Sequence, residues 1–181
     1  MNKFLLLLIF IFSDNYLPAA DEYIERQGQV TFFSYTSVEN IQATNNQVLS
    51  LFNPKTNEIA VSILMRAFVF KKSLMHEHFN ESYIESDLYP KATFNGKIID
   101  FDPTIKGEQT RIIKGDFTLK NITKSVEVKA KITAVNKTFN IEGELNVLVG
   151  DYDIKVPPLL SPNIAKNIDV SFNFKYSPYE K

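Results

Sequence analysis

Thr138-Phe139-Asn140-Ile141-Glu142-Gly143-Glu144-Leu145-Asn146-Val147-Leu148-Val149 is the stretch that decides the fold class. Phe139, Ile141, Gly143, Leu145, Val147 and Val149 share one parity. The other parity is polar, apart from Leu148. A period of two is the pattern of a strand with one face in a core and the other in water. Wound into an α-helix, the same apolar residues would scatter around the whole circumference.

The alternation extends outward in both directions. Upstream, Ile113, Gly115, Phe117 and Leu119 alternate with polar neighbours, and so do Val126, Val128, Ala130, Ile132 and Ala134. Between these two runs, Asn121-Ile122-Thr123-Lys124 reads as a turn, and Asn136-Lys137 begins the next reversal. Downstream, Ile168, Val170, Phe172, Phe174 and Tyr176 form a closing strand. Toward the N-terminus, strands are expected over Val30–Tyr35, Gln47–Phe52, Ile59–Phe70 and Ala92–Phe101. The total is about eight antiparallel strands, the number at which a closed barrel just holds one small ligand. The fold class is therefore all-β, an eight-stranded antiparallel barrel.

Ser73 to Pro90 breaks the period. Met75, Phe79 and Tyr83 recur every fourth residue, which predicts a short helical segment ended by Pro90. In a barrel, such a segment is expected to cover one mouth.

Composition narrows the function. Twenty basic and 21 acidic residues leave a net charge of -1. That balance provides no clustered basic face for nucleic acid. It provides no polybasic run for an anionic membrane either. Zero cysteines exclude disulfides, thiolate nucleophiles and Cys-ligated metals. Fifteen Phe and 8 Tyr suit either a dense aromatic core or the wall of a wide apolar interior.

Lys3 followed by the apolar run Phe4–Phe12, with small residues at Ala19 and Ala20, reads as an export signal. Residues 1–20 are therefore set apart from a single domain over 21–181, expected to be periplasmic or secreted. No later run is apolar enough to predict stable membrane insertion.

Catalytic signatures are sparse. Neither G-x-S-x-G nor G-x-G-x-x-G occurs. His76 and His78 flank Glu77; in a strand both imidazoles would share a face and reach one metal, whereas in a helix they would diverge. No third ligand stands nearby, and a polar mouth-covering segment explains the trio equally well.

The segment from Ser73 to Phe94, with its His78-Phe79 to Tyr89-Pro90 block, resembles the YceI-like, or polyisoprenoid-binding, family. The resemblance is nearest to exported members from Bacteroidetes-type bacteria. Val30-Thr31-Phe32-Phe33-Ser34, Gly115-Asp116-Phe117-Thr118-Leu119, Thr123-Lys124 and Asp151-Tyr152-Asp153-Ile154 extend it over residues 25–176. One departure is clear: Asn121-Ile122 stand where relatives often carry His-Gly.

The resemblance implies a lipocalin-like barrel that holds a long isoprenoid or similar amphiphile, with no cofactor and no catalysis. Relatives pair as dimers, so a homodimer is one expected state. The large apolar residues on inward faces form the expected tail site: Phe32, Ile63, Met65, Phe68, Phe94, Phe117, Phe139, Leu145 and Phe172. Met75, Phe79 and Tyr83 are the expected lid, and His78 and Asn80 the expected head-group contacts. Two other readings stay open at this point. One is a filled barrel acting through protein partners; the other is a metal-dependent enzyme using His76, Glu77 and His78.

Overall fold

The computed structural model describes residues 22–36, 39–156 and 165–179. The expected export signal at residues 1–20 lies outside the described residues. Eight long strands are present: β1 (Tyr23–Ser34), β2 (Ile41–Asn53), β3 (Glu58–Leu64), β5 (Lys91–Ile98), β6 (Gly107–Leu119), β7 (Ile122–Val135), β8 (Thr138–Leu148) and β9 (Asn167–Pro178). A two-residue strand, β4 (Val69–Phe70), pairs with β2. All pairings are antiparallel. The long strands follow the order β1-β9-β8-β7-β6-β5-β3-β2, and β2 pairs back onto β1, so the barrel closes.

Alternation dictates what fills it. Phe139, Ile141, Val147 and Val149 are buried, while Thr138, Glu144, Asn146 and Leu148 are exposed. The β6–β7 reversal is tighter than the sequence suggests: Leu119 pairs with Ile122, so Lys120 and Asn121 alone make the turn. Both have positive φ, 49° and 61°, the backbone of a primed hairpin turn whose twist matches its strands.

The strand expected over Ile59–Phe70 is interrupted. β3 ends at Leu64, and Met65–Ala67 form a 3₁₀ turn. The Met65 N–H still donates to the Pro90 carbonyl at 3.0 Å, one step on in the β3–β5 register, and Pro90 has no N–H to return the bond. The turn shifts the alternation by one, so Phe68 faces inward together with Ile63 and Met65 although its parity differs. On β2, an irregularity around Gln47 is held by the buried Asn45 side chain. Asn45 Nδ2 donates to the Leu64 carbonyl, and its Oδ1 accepts from Gln47 N–H, both at 2.8 Å.

One half of the barrel is solid. Tyr23, Phe52, Phe101, Phe139 and Tyr176 pack as an edge-to-face and tilted aromatic group, backed by Ile59, Ile98, Ile113, Ile132 and Ile141. Phe52 touches Phe101, Phe139 and Tyr176 at centroid distances of 5.8, 5.3 and 5.7 Å. The fully buried Tyr176 hydroxyl meets Ser50 Oγ at 2.6 Å. Ser50 has one proton, which it donates to the Ala60 carbonyl at 3.0 Å, so Tyr176 is the donor of the pair. Burial pushes the Tyr176 hydroxyl pKa well above its ordinary value.

Candidate functional site: an apolar cavity under a helical cover

The other half of the barrel is hollow. A cavity of about 410 Å³ lies between the strand ends and the segment that follows β4. That segment is a short helix, α1 (Ser73–His78), continued by one π-helical turn over Phe79–Tyr83. The wider turn is closed by Ile84 N–H donating to the Phe79 carbonyl at 2.9 Å. It brings Phe79, Tyr83 and Ile84 to the cavity together with Leu74, Met75 and His78.

Barrel residues complete the wall. β1 contributes Val30, Phe32 and Ser34; β6 contributes Phe117 and Leu119; Val147, Val149, Ile168 and Val170 come from the β8–β9 side. Among the described residues, the polar side chains at the lining are Ser34, Glu39, Lys72, His78 and the Tyr83 phenol. Ser34 is buried, and its Oγ accepts from Ala165 N–H at 3.1 Å. Lys72 and Glu39 form an ion pair at the rim. The interior is therefore apolar and its polar groups gather at the mouth, an arrangement that sorts a tail from a head.

The cover is fastened in two ways. Phe32, Phe68, Phe70 and Phe79 form one cluster, with Phe79 lying 5.4, 5.6 and 5.0 Å from the other three rings respectively. On the far side, the buried Lys120 ammonium donates to the Tyr83 carbonyl at 3.0 Å and to Glu85 Oε2 at 2.6 Å. It also stands 5.5 Å from the centre of the Tyr89 ring. The Lys120 hydrogen bond, and then its charge, hold the Glu85 carboxyl below its ordinary pKa. Arg66 pairs with Asp87 outside this clamp.

The structure places the expected residues in three groups. Phe32, Ile63, Met65, Phe68 and Phe117 line the cavity, as do Met75, Phe79, Tyr83 and His78. Phe94, Leu145 and Phe172 share the inward face of their strands, beside the lining residues Phe117, Val170 and Val30, but are not among the residues that line the cavity. Phe139 is not a lining residue either; it packs in the aromatic half against Tyr23 and Phe52.

Asn80 requires correction as a head-group contact. It is buried, its Nδ2 donates to the His76 carbonyl, and its Oδ1 accepts from Ser86 Oγ, each at 2.8 Å. Both ends of the amide thus hold the cover's own backbone and side chains together. Phe70, Ile84 and Lys72 are lining residues that the sequence reading did not select. The spacing of Phe68 and Phe70 on an apparent strand signalled Phe70; nothing comparable marked Lys72.

His76 and His78 fall on helical α1, where residues two apart point about 200° apart. His78 lines the cavity, and the exposed His76 sits 5.8 Å from the Phe70 ring instead. No cluster of three or more His, Cys, Asp or Glu suited to a metal ion occurs among the described residues.

Comparison with known proteins agrees with this architecture. No curated protein matches the sequence significantly. A polyisoprenoid binding domain from Saccharophagus degradans, implicated in plant cell wall breakdown, superposes with a TM-score of 0.75 at 10% identity, covering 88% of this chain and 99% of that one. BcnA of Burkholderia cenocepacia superposes with a TM-score of 0.69 at 15% identity, covering 82% of this chain and 95% of its own. A mutant of the Campylobacter jejuni YCEI protein matches over 100% of both chains, with a TM-score of 0.58 and 12% identity. At these identities the structures share the fold. The sequence goes further, for the YceI-like domain model matches residues 24–176, which span every strand from β1 to β9, and the chain belongs to that family.

Proposed function

We propose that this protein binds an amphiphilic lipid without chemical conversion, holding the apolar tail in the cavity and the polar head at the mouth. The observation that carries the reading is the cavity itself: about 410 Å³, lined overwhelmingly by apolar side chains, with Ser34, Glu39, Lys72, His78 and the Tyr83 phenol as its few polar groups. Burial of each methylene contributes about 0.8 kcal/mol, so a tail alone supplies adequate affinity. Lys72, Glu39 and His78 are the side chains placed to orient a head group. The polyisoprenoid-binding relative from Saccharophagus degradans supports a lipid as the ligand, with isoprenoids, quinones and fatty amides as the classes to test. The apolar run at residues 4–12 supports a periplasmic or secreted setting, in which the protein stores or carries the lipid.

The test is native mass spectrometry of the protein purified from an exported preparation, followed by organic extraction. One amphiphile per chain is the expected result. A ligand-free mass, with no uptake of added prenyl alcohol, overturns the reading in favour of a barrel acting through protein partners. Phe117→Arg provides the matching control, because it puts a charge into the cavity wall. If that variant folds and binds with unchanged affinity, the tail does not lie in the cavity.

A further inference from the structure

Resting on the lipid-binding reading, we infer that Glu39 sets the class of head group: by holding the Lys72 ammonium it admits an uncharged head, such as an alcohol, an amide or a quinone, and turns away a phosphate. Among the described residues, Glu39 and Lys72 are the acidic and basic side chains that line the cavity, and they are paired with each other. Lys71, Lys155 and Lys166 are exposed, and none of them lines it. Ser37-Val38 and Pro157 to Ile164 contain no acidic or basic side chain.

The backbone holds both partners in place. Thr36 Oγ1 accepts from the Glu39 N–H at 3.1 Å and donates to the Glu39 carbonyl at 2.7 Å, which ties Glu39 to the chain just past β1. Lys72 begins the cover, its carbonyl accepting from the His76 N–H at 3.3 Å. The pair therefore bridges barrel and cover, but the Lys72 side chain is 56% exposed and that of Glu39 46%. An ion pair so exposed adds little to stability. The cover is fastened without it, by the Phe79 cluster and the Lys120 clamp. What the pair governs is the charge that a head group meets. A phosphate arriving there has two options. It takes Lys72 and leaves the Glu39 carboxylate beside its own negative charge, or it leaves the pair intact and gives up water without gaining a cation. An uncharged head faces neither cost, because Ser34, His78 and Tyr83 supply hydrogen-bonding groups.

The experiment is calorimetric titration of the protein, purified from an exported preparation, with geraniol and with geranyl phosphate. The two probes share one tail, and at pH 8 the phosphate carries close to two charges. The wild-type protein is expected to prefer geraniol by about tenfold, the scale of one close like-charge contact near a protein surface. Glu39→Gln frees Lys72 and is expected to shift that ratio about tenfold toward the phosphate. Glu39→Gln combined with Lys72→Met removes the freed cation and is expected to return the ratio toward geraniol. Because each result is a ratio of two ligands on one protein, a general weakening of the site does not mimic it. A wild-type protein that binds geranyl phosphate as tightly as geraniol overturns the inference, as does a folded Glu39→Gln variant whose ratio has not moved. Failure of the wild-type protein to bind either probe overturns the lipid-binding reading itself, a result distinct from both.

Discussion

Phe32, in the barrel wall, and Phe79, in the cover, lie nearly parallel, with ring centres 5.4 Å apart and planes inclined by 21°. This stack is one of the contacts that join the two parts enclosing the cavity. Phe79→Ala removes it together with the contacts to Phe68 and Phe70. Full burial of a Phe would make the loss about 3–5 kcal/mol; the half-buried Phe79 is expected to lose about 2 kcal/mol. Urea denaturation measures the loss. The same variant is expected to release bound lipid faster, which stopped-flow displacement follows.

The Lys120–Glu85 clamp has a pH dependence of known sign. Because Lys120 lowers the Glu85 pKa in the folded protein, the contribution is complete above the ordinary carboxyl value of 4.5. It is lost as the pH falls through the lowered folded value. Amide exchange over residues 79–86, compared at matched intrinsic rates, is expected to accelerate on acidification below that point. In Glu85→Gln the acid-dependent part should vanish; persistence of an equal acceleration assigns it to another group.

The Ser50–Tyr176 pair predicts an asymmetry. Tyr176→Phe removes a donor and leaves Ser50 bonded to the Ala60 carbonyl, a loss of about 1 kcal/mol. Ser50→Ala takes from the buried Tyr176 hydroxyl its acceptor and from the Ala60 carbonyl its donor, which costs about 1–3 kcal/mol. Equal midpoint shifts in chemical denaturation would contradict the hydrogen-bond direction assigned above.

Gly115 marks the tightest approach between β5 and β6. A Cβ there would lie 2.4 Å from the Asn95 carbonyl oxygen and 2.5 Å from Gly96 Cα, both backbone atoms unable to swing aside. Gly115→Ala is expected to destabilise by about 1–3 kcal/mol. Gly150→Ala, with nothing within 4 Å of the new methyl, is the control and should leave thermal unfolding nearly unchanged.

Most of the barrel was legible because a half-buried strand writes its burial into alternate residues. Phe139 to Val149 and Ile168 to Tyr176 needed no further information. The break after Leu64 was hidden, because the partner strand gives out there: Met65 faces Pro90, 25 residues away in sequence, which has no N–H to carry the ladder on. The turn expected over Asn121–Lys124 falls on Lys120–Asn121, with Ile122 to Lys124 already paired in the strand, since neither turn residue is a glycine that would announce positive φ. Within the site, periodicity put Met75, Phe79 and Tyr83 on one face, and all three line the cavity. It could not rank depth. Phe94, Phe139 and Phe172 carry the same inward parity as Phe117, yet only the folded barrel separates the one that lines the cavity from the three that do not.

The closure of the sheet has a consequence for how the chain reaches this state. β9 completes the ring by pairing with both β8 and β1, which joins residues such as Tyr23 and Pro178 from opposite ends of the sequence. Contacts of such long sequence separation are slow to form, because the chain entropy is lost before they contribute. A meander of β5 to β8 can assemble from local hairpins, but it stays an open ribbon with two unpaired borders until the last dozen residues arrive. Pairing of β9 with β1 is therefore expected to be a late and slow step of folding, and a chain in which it has not formed would offer those borders to its neighbours.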